Sequence, residues 1–147
     1  MNTLELEFRK ELIREMTGFW TPTIHVESHL NPGVPDLSYV MTKSGCETGW
    51  LELKALANSV MVSIKVERSQ HQWMTAHANR IPAHFLILVG DQCFLVHGRN
   101  HKALLGTINL MDDLLPVTTA TFHRSKIKSM LPSMLIASTN RGRNDQV

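Results

Sequence analysis

Leu4, Phe8, Leu12 and Met16 recur at helical spacing with Glu and Arg filling the positions between, which predicts an amphipathic first helix ending before Gly18. After Pro22, the residues Thr23 to His29 alternate at period two and read as a strand with His25, Glu27 and His29 on one face. Asn31-Pro32-Gly33 breaks it. Val34–Met41 and Gly49–Lys54 are two further strand-length runs, and the polar stretch 42–48 between them suits a hairpin loop, so they should pair antiparallel. Residues 60–66 alternate again, and a helical stretch runs from about Ser69 to Asn79, with Ser69 as a plausible first residue. His84–Val89 and Cys93–His97 flank Gly90-Asp91-Gln92 as a second hairpin, followed by a less legible region with a helix near 123–131. Helix, three strands, helix and two strands imply an α/β fold built on a mixed sheet.

Composition narrows the classes open to such a fold. At 147 residues and 43% hydrophobic, one domain burying roughly 70% of the surface of its unfolded chain needs no disulfide framework. Cys46 and Cys93 form neither a CxxC nor a zinc-type pairing and read as reduced thiols. The N-terminus has no continuous apolar segment of the signal-peptide kind, and no apolar run approaches the roughly 18 residues that span a bilayer, so an intracellular, cytoplasmic protein with no membrane partner is expected. The net charge of +2 hides an asymmetry: residues 1–122 hold ten basic and twelve acidic side chains, and 123–147 hold five basic and one acidic. Arg124, Lys126, Lys128, Arg141 and Arg143 could therefore form a local phosphate-attracting patch, against the plainer reading of a solvated terminal segment.

The chemistry concentrates in Gly33-Val34-Pro35-Asp36-Leu37 and Trp50-Leu51-Glu52-Leu53-Lys54. A hairpin centred on Ser44 sets Asp36 opposite Glu52, with Cβ atoms about 5 Å apart. Glu52 and Lys54 then share one face of their strand while Leu51 and Leu53 point into the core. Two carboxylates so close repel unless a cation joins them. Asp36, Glu52 and the Leu53 backbone carbonyl offer the hard oxygen donors that Mg²⁺ requires and leave positions open for water and a phosphate. The plainer alternative makes Asp36 a turn cap and leaves Glu52 and Lys54 on a solvated face.

Pro35-Asp36 followed by Glu52-Leu53-Lys54 resembles the PD-(D/E)xK motif of the restriction-endonuclease-like nuclease superfamily. With Gly33 and the later Ser69-Gln70, the match resembles the virus-type replication-repair (VRR-NUC) branch and related phage Holliday junction resolvase-like nucleases. The resemblance covers roughly residues 3–97. It implies a restriction-endonuclease-like mixed β-sheet flanked by helices, with a nuclease core over 1–98; outside the resemblance, a C-terminal extension over 99–147 carries the basic segment and is expected to pack on the same domain and end flexibly. It further implies hydrolysis of DNA phosphodiesters with Mg²⁺ or Mn²⁺, most specifically on branched or four-way DNA, by a homodimer. Asp36 and Glu52 match the metal-binding acids, Lys54 the catalytic lysine and Gln70 the glutamine of the following helix. A further acid from the first helix is expected. Glu5 borders the apolar stripe and is the first choice, with Glu11 second.

Other constellations carry less. The eight histidines include no HExxH pair, although Glu27, His29 or His71 could assist metal or phosphate binding from adjacent positions. No Gly-x-Ser-x-Gly elbow, P-loop or GxGxxG occurs. Trp20, Trp50 and Trp73 are most simply core residues. Alternative functions are a less selective DNA-degrading or end-processing nuclease and a non-catalytic DNA-binding module.

Overall fold

A computed structural model describes residues 2–26, 30–42 and 47–144, with the backbone alone described for 138–144. The first helix, α1 (Thr3–Glu15), begins where the Asn2 side chain caps the Glu5 amide at 2.8 Å. Phe8, Leu12 and the following Met16 are fully buried, as the spacing predicts, but Leu4, in the first turn, is about half exposed at 48%.

Six strands form the main sheet in the order β1 (Trp20–Ile24), β2 (Leu37–Met41), β3 (Thr48–Leu56), β5 (Ala83–Val89), β6 (Gln92–His97) and β8 (Thr118–His123). β3 and β5 run parallel and every other neighbouring pair is antiparallel. All seven residues of β5 are buried, which fits a central strand covered on both faces and explains its continuous apolar run. α1 and α3 (Ile127–Asn144) cover one face, where Phe8 and Leu12 meet Leu51, Leu53, Leu86, Leu95, Ile127 and Leu131. The other face carries α2 (Arg68–His77) and the 3₁₀ segment Gly98–Leu104, where Met74 and Leu104 join Phe85, Ile87 and Val96.

Several expected boundaries move. The strand expected over 23–29 lies at Trp20–Ile24, and Glu27 and His29 fall outside the described residues. The run 60–66 contracts to β4 (Met61–Ser63), which pairs with β7 (Thr107–Asn109) in a separate two-stranded sheet. α2 begins at Arg68, one residue before Ser69, with Glu67 as its N-cap. β8 was not expected from the sequence, because an edge strand that buries only Phe122 fully carries little apolar signal. Residues beyond 98 thus supply a strand to the main sheet and α3 to its packing. Cys93 is buried as a free thiol whose pKa burial pushes up to about 12, and Cys46 lies outside the described residues. No helix among the described residues is long and apolar enough to cross a membrane.

His84, on β5, is 1% exposed and neither ring nitrogen has a hydrogen-bond partner among the described residues. Burial, with His97 and Arg99 nearby, lowers its pKa to about 3. A group whose folded pKa lies below its unfolded value keeps its stabilising neutral form above the unfolded pKa, and protons taken up by the unfolded chain erode stability as the pH falls. Urea unfolding at a series of pH values should therefore show stability falling from about pH 6.5 toward pH 4, and His84→Leu should flatten that slope; an unchanged slope would remove His84 as its source.

Candidate active site

β2 and β3 pair through Leu37↔Leu51, and the same register sets Asp36 opposite Glu52. At that point the strands part. The Leu53 amide faces the side β2 has vacated, and the Asp36 carboxylate replaces the missing strand by accepting it at Oδ2, 2.8 Å away. A strand residue's N–H and C=O leave by the same edge, so the Leu53 carbonyl is directed to this opening as well. Asp36 is half-buried, and its own carbonyl accepts the His25 amide at 2.8 Å.

Glu52 and Lys54 point to the α2 face and are 3% and 6% exposed, so the solvated-face alternative does not apply to them. Gln70 orders both. Its Oε1 accepts the Lys54 ammonium at 3.0 Å and the Glu67 amide at 2.9 Å, so its Nε2 must donate to Glu52 Oε1, at 2.9 Å. Lys54 also donates to the Lys65 carbonyl at 2.6 Å, and its Nζ lies 3.8 Å from Glu52 Oε1. Two of its three N–H groups are thereby committed and one is left for the cavity.

Gly33 explains how the loop carrying Asp36 reaches α2. It holds φ at +77°, and a Cβ there would overlap the Ser69 carbonyl. Only a residue without a side chain allows this backbone to lie against the turn that presents Gln70.

These groups line a cavity of about 460 Å³, which Glu5 and Arg9 enter from α1, His25 from the end of β1, and Lys65 and Glu67 from the segment before α2. The structure brings Glu5 to the acidic pair. Glu11 instead forms a two-pronged ion pair with Arg124, at 2.6 and 3.2 Å. Arg124, also 3.4 Å from Asp91, is held by these bonds above its ordinary pKa, the Glu11 hydrogen bond contributing most, so its charge is engaged rather than free for a phosphate. Lys126 and Lys128 are exposed but do not line the cavity, and the side chains of Arg141 and Arg143 are outside those described.

Burial raises the Glu52 pKa to about 9, with the Asp36 charge next in weight, a hydrogen bond to Asp36 and the Glu5 charge adding to it, and Lys54 opposing. At neutral pH Glu52 therefore keeps a proton beside Asp36, as expected of two acids that cannot both ionise without a cation. Among the described residues no group of three or more His, Cys, Asp or Glu side chains is arranged to hold a metal ion. The donor set is instead two facing carboxylates with a strand carbonyl and open positions, which suits a hard cation that keeps waters and substrate oxygens.

Two features escaped the sequence reading. Arg9, one turn after Glu5, carries no ion pair among the described residues, and its i,i+4 relation to Glu5 was a usable signal. Trp20 is buried as expected, but Trp50 and Trp73 are only half-buried and link a row of rings: His25–Trp50 at 4.9 Å, Trp50–Trp73 at 5.3 Å and Trp73–His77 at 4.5 Å.

No family model matches the sequence, and no curated protein matches it. Among solved structures, Archaeoglobus fulgidus Hjc, a Holliday junction resolvase from an archaeal hyperthermophile, aligns with a TM-score of 0.53 over 77% of this chain and 93% of that chain. The fold is shared. Identity to Hjc is 11%, so the likeness lies in the course of the backbone: a mixed sheet flanked by helices, as the sequence predicts.

The proton on Glu52 is open to direct test. In metal-free protein the Glu52 carboxyl, followed by carbon NMR, should titrate near pH 9, and Asp36→Asn should bring its midpoint down by removing a neighbouring negative charge. A midpoint unmoved by Asp36→Asn would show that the two acids are not coupled.

Proposed function

We propose that the chain is a Mg²⁺-dependent DNA endonuclease acting on branched DNA, in the manner of a Holliday junction resolvase. The observation that carries the reading is the joining of Asp36, Glu52, Lys54 and Gln70 by hydrogen bonds and charge at an open sheet edge. Buried acids paired with a buried lysine are costly and cluster at functional sites. The resolvase fold favours branched DNA as substrate. Closer kinship with VRR-NUC and phage resolvase-like nucleases rests on Gly33-Val34-Pro35-Asp36, Glu52-Leu53-Lys54 and Ser69-Gln70.

Asp36, Glu52, the Leu53 carbonyl and Glu5 would hold the cation, and Mn²⁺ should substitute for Mg²⁺. When bound, the ion supplies neutralising charge at the scissile phosphate and makes water a better nucleophile. Glu52 would release its proton to water in exchange for the cation. Lys54, fixed by Gln70 and the Lys65 carbonyl, holds positive charge and a free N–H where negative charge grows on the phosphate in the transition state. Gln70 keeps lysine and glutamate in register, so its loss should misplace both. A two-fold homodimer would present two such centres for paired cuts across a symmetric junction.

The decisive measurement incubates purified protein with four-way junctions, flaps, duplex and single strands, with Mg²⁺ or EDTA. Cleavage should require Mg²⁺ and favour branched substrates. Asp36→Asn and Lys54→Ala should each slow it by about 10²-fold or more while the fold persists by circular dichroism. Absence of cleavage on every substrate would reduce the chain to a binding module, and equal cleavage of linear duplex would make it a less selective nuclease.

A further inference from the structure

The segment that leads into α2 is a wall with two sides. Lys65, Glu67 and Gln70 line the acidic cavity, whereas Val66, Arg68 and His71 line a second cavity behind it. This groove, of about 610 Å³, runs between α2 and the 3₁₀ segment Gly98–Leu104. Its volume falls within the range of small-molecule sites. Val66, Ala76 and Leu105 make much of the lining apolar. Arg68 and Lys102 bring two cations that form no ion pair among the described residues, and no acid lines the groove.

The polar groups are ordered. Thr75 Oγ1 donates to the His71 carbonyl at 2.9 Å, so it accepts from His101 Nε2 at 3.0 Å. His101 then has a bare Nδ1, which takes the proton of His71 Nδ1 at 2.8 Å. The remaining nitrogen of His71, Nε2, is an acceptor with no donor.

From this arrangement we propose that the groove receives one unpaired nucleotide of the DNA strand being cut, its base against the apolar wall and its phosphate toward Arg68 and Lys102. A duplex backbone would use the cations and leave the apolar wall unmatched, whereas an unstacked base offers a flat apolar face. Gln70 lines one cavity and its neighbour His71 the other, so the nucleotide would lie across the first turn of α2 from the scissile phosphate. The proposal rests on the nuclease reading and names the strand feature which that site would select.

The test uses the full chain in EDTA and fluorescence anisotropy of forked DNA carrying a single abasic nucleotide at successive positions of its unpaired strand. At one position, loss of the base should weaken binding about tenfold. Ala76→Trp, which fills the groove from an exposed helix position, should abolish that difference and leave duplex affinity unchanged. Leu105→Glu, at an exposed position on the opposite rim, should also abolish the difference between intact and abasic forks, by repelling the phosphate and keeping the nucleotide out of the groove. Equal binding of intact and abasic forks at every position, or a base effect undiminished in both variants, would overturn the proposal. Cleavage by the unmodified chain with Mg²⁺, measured in parallel with Asp36→Asn, reports on the nuclease reading separately, so the groove can fail while the enzyme stands.

Discussion

The arrangement of the site depends on one backbone amide. β3 is an inner strand, and where β2 leaves it the Leu53 N–H would be buried without an acceptor. Asp36 fills that place. Once its carboxylate is drawn to the edge of β3, it stands beside Glu52, and the rest follows from charge: Glu52 retains a proton, Gln70 donates to one of its oxygens, and Lys54 stands 3.8 Å away as the compensating cation. The acidic pair is thus anchored by the needs of the sheet, which makes it both expensive to keep and hard to displace.

Much of this was legible because strand pairing obeys simple symmetry. The register of β2 against β3 matches the one read from a hairpin centred on Ser44, and period two then assigns Glu52 and Lys54 to one face and Leu51 and Leu53 to the other. Phe8, Leu12 and Met16 were equally plain from their spacing. Gln70 was named only through resemblance, since nothing in its local sequence shows that one amide would bridge an ammonium and a carboxyl. Partnerships between distant segments were the hidden part: Glu11 with Arg124, β4 with β7, and β8 with β6 join residues far apart in the chain whose local patterns are weak.

Arg124 shows how charge counting can mislead. The basic C-terminal quarter looks like a surface for phosphates, yet its first cation closes an ion pair between the start of α3's 3₁₀ lead-in and α1. What counts for a nucleic-acid partner is the set of cations left without acids, and near the cavities these include, among the described residues, Arg9, Arg68 and Lys102. They come from three different segments, so no window of the sequence looks basic where the folded surface does.

The hairpin register has a consequence for how such a chain can vary over evolutionary time. Asp36 and Glu52 are kept together by the pairing of β2 with β3, whatever length of chain joins the two strands. Insertions and deletions in the connection leave the pair intact, while a slip of one residue within the strands would turn Glu52 into the opposite layer. Selection therefore acts on alignment across the sheet and is indifferent to the count of residues between the acids. Lineages that share this geometry can drift apart in sequence until little but the course of the backbone records their common design.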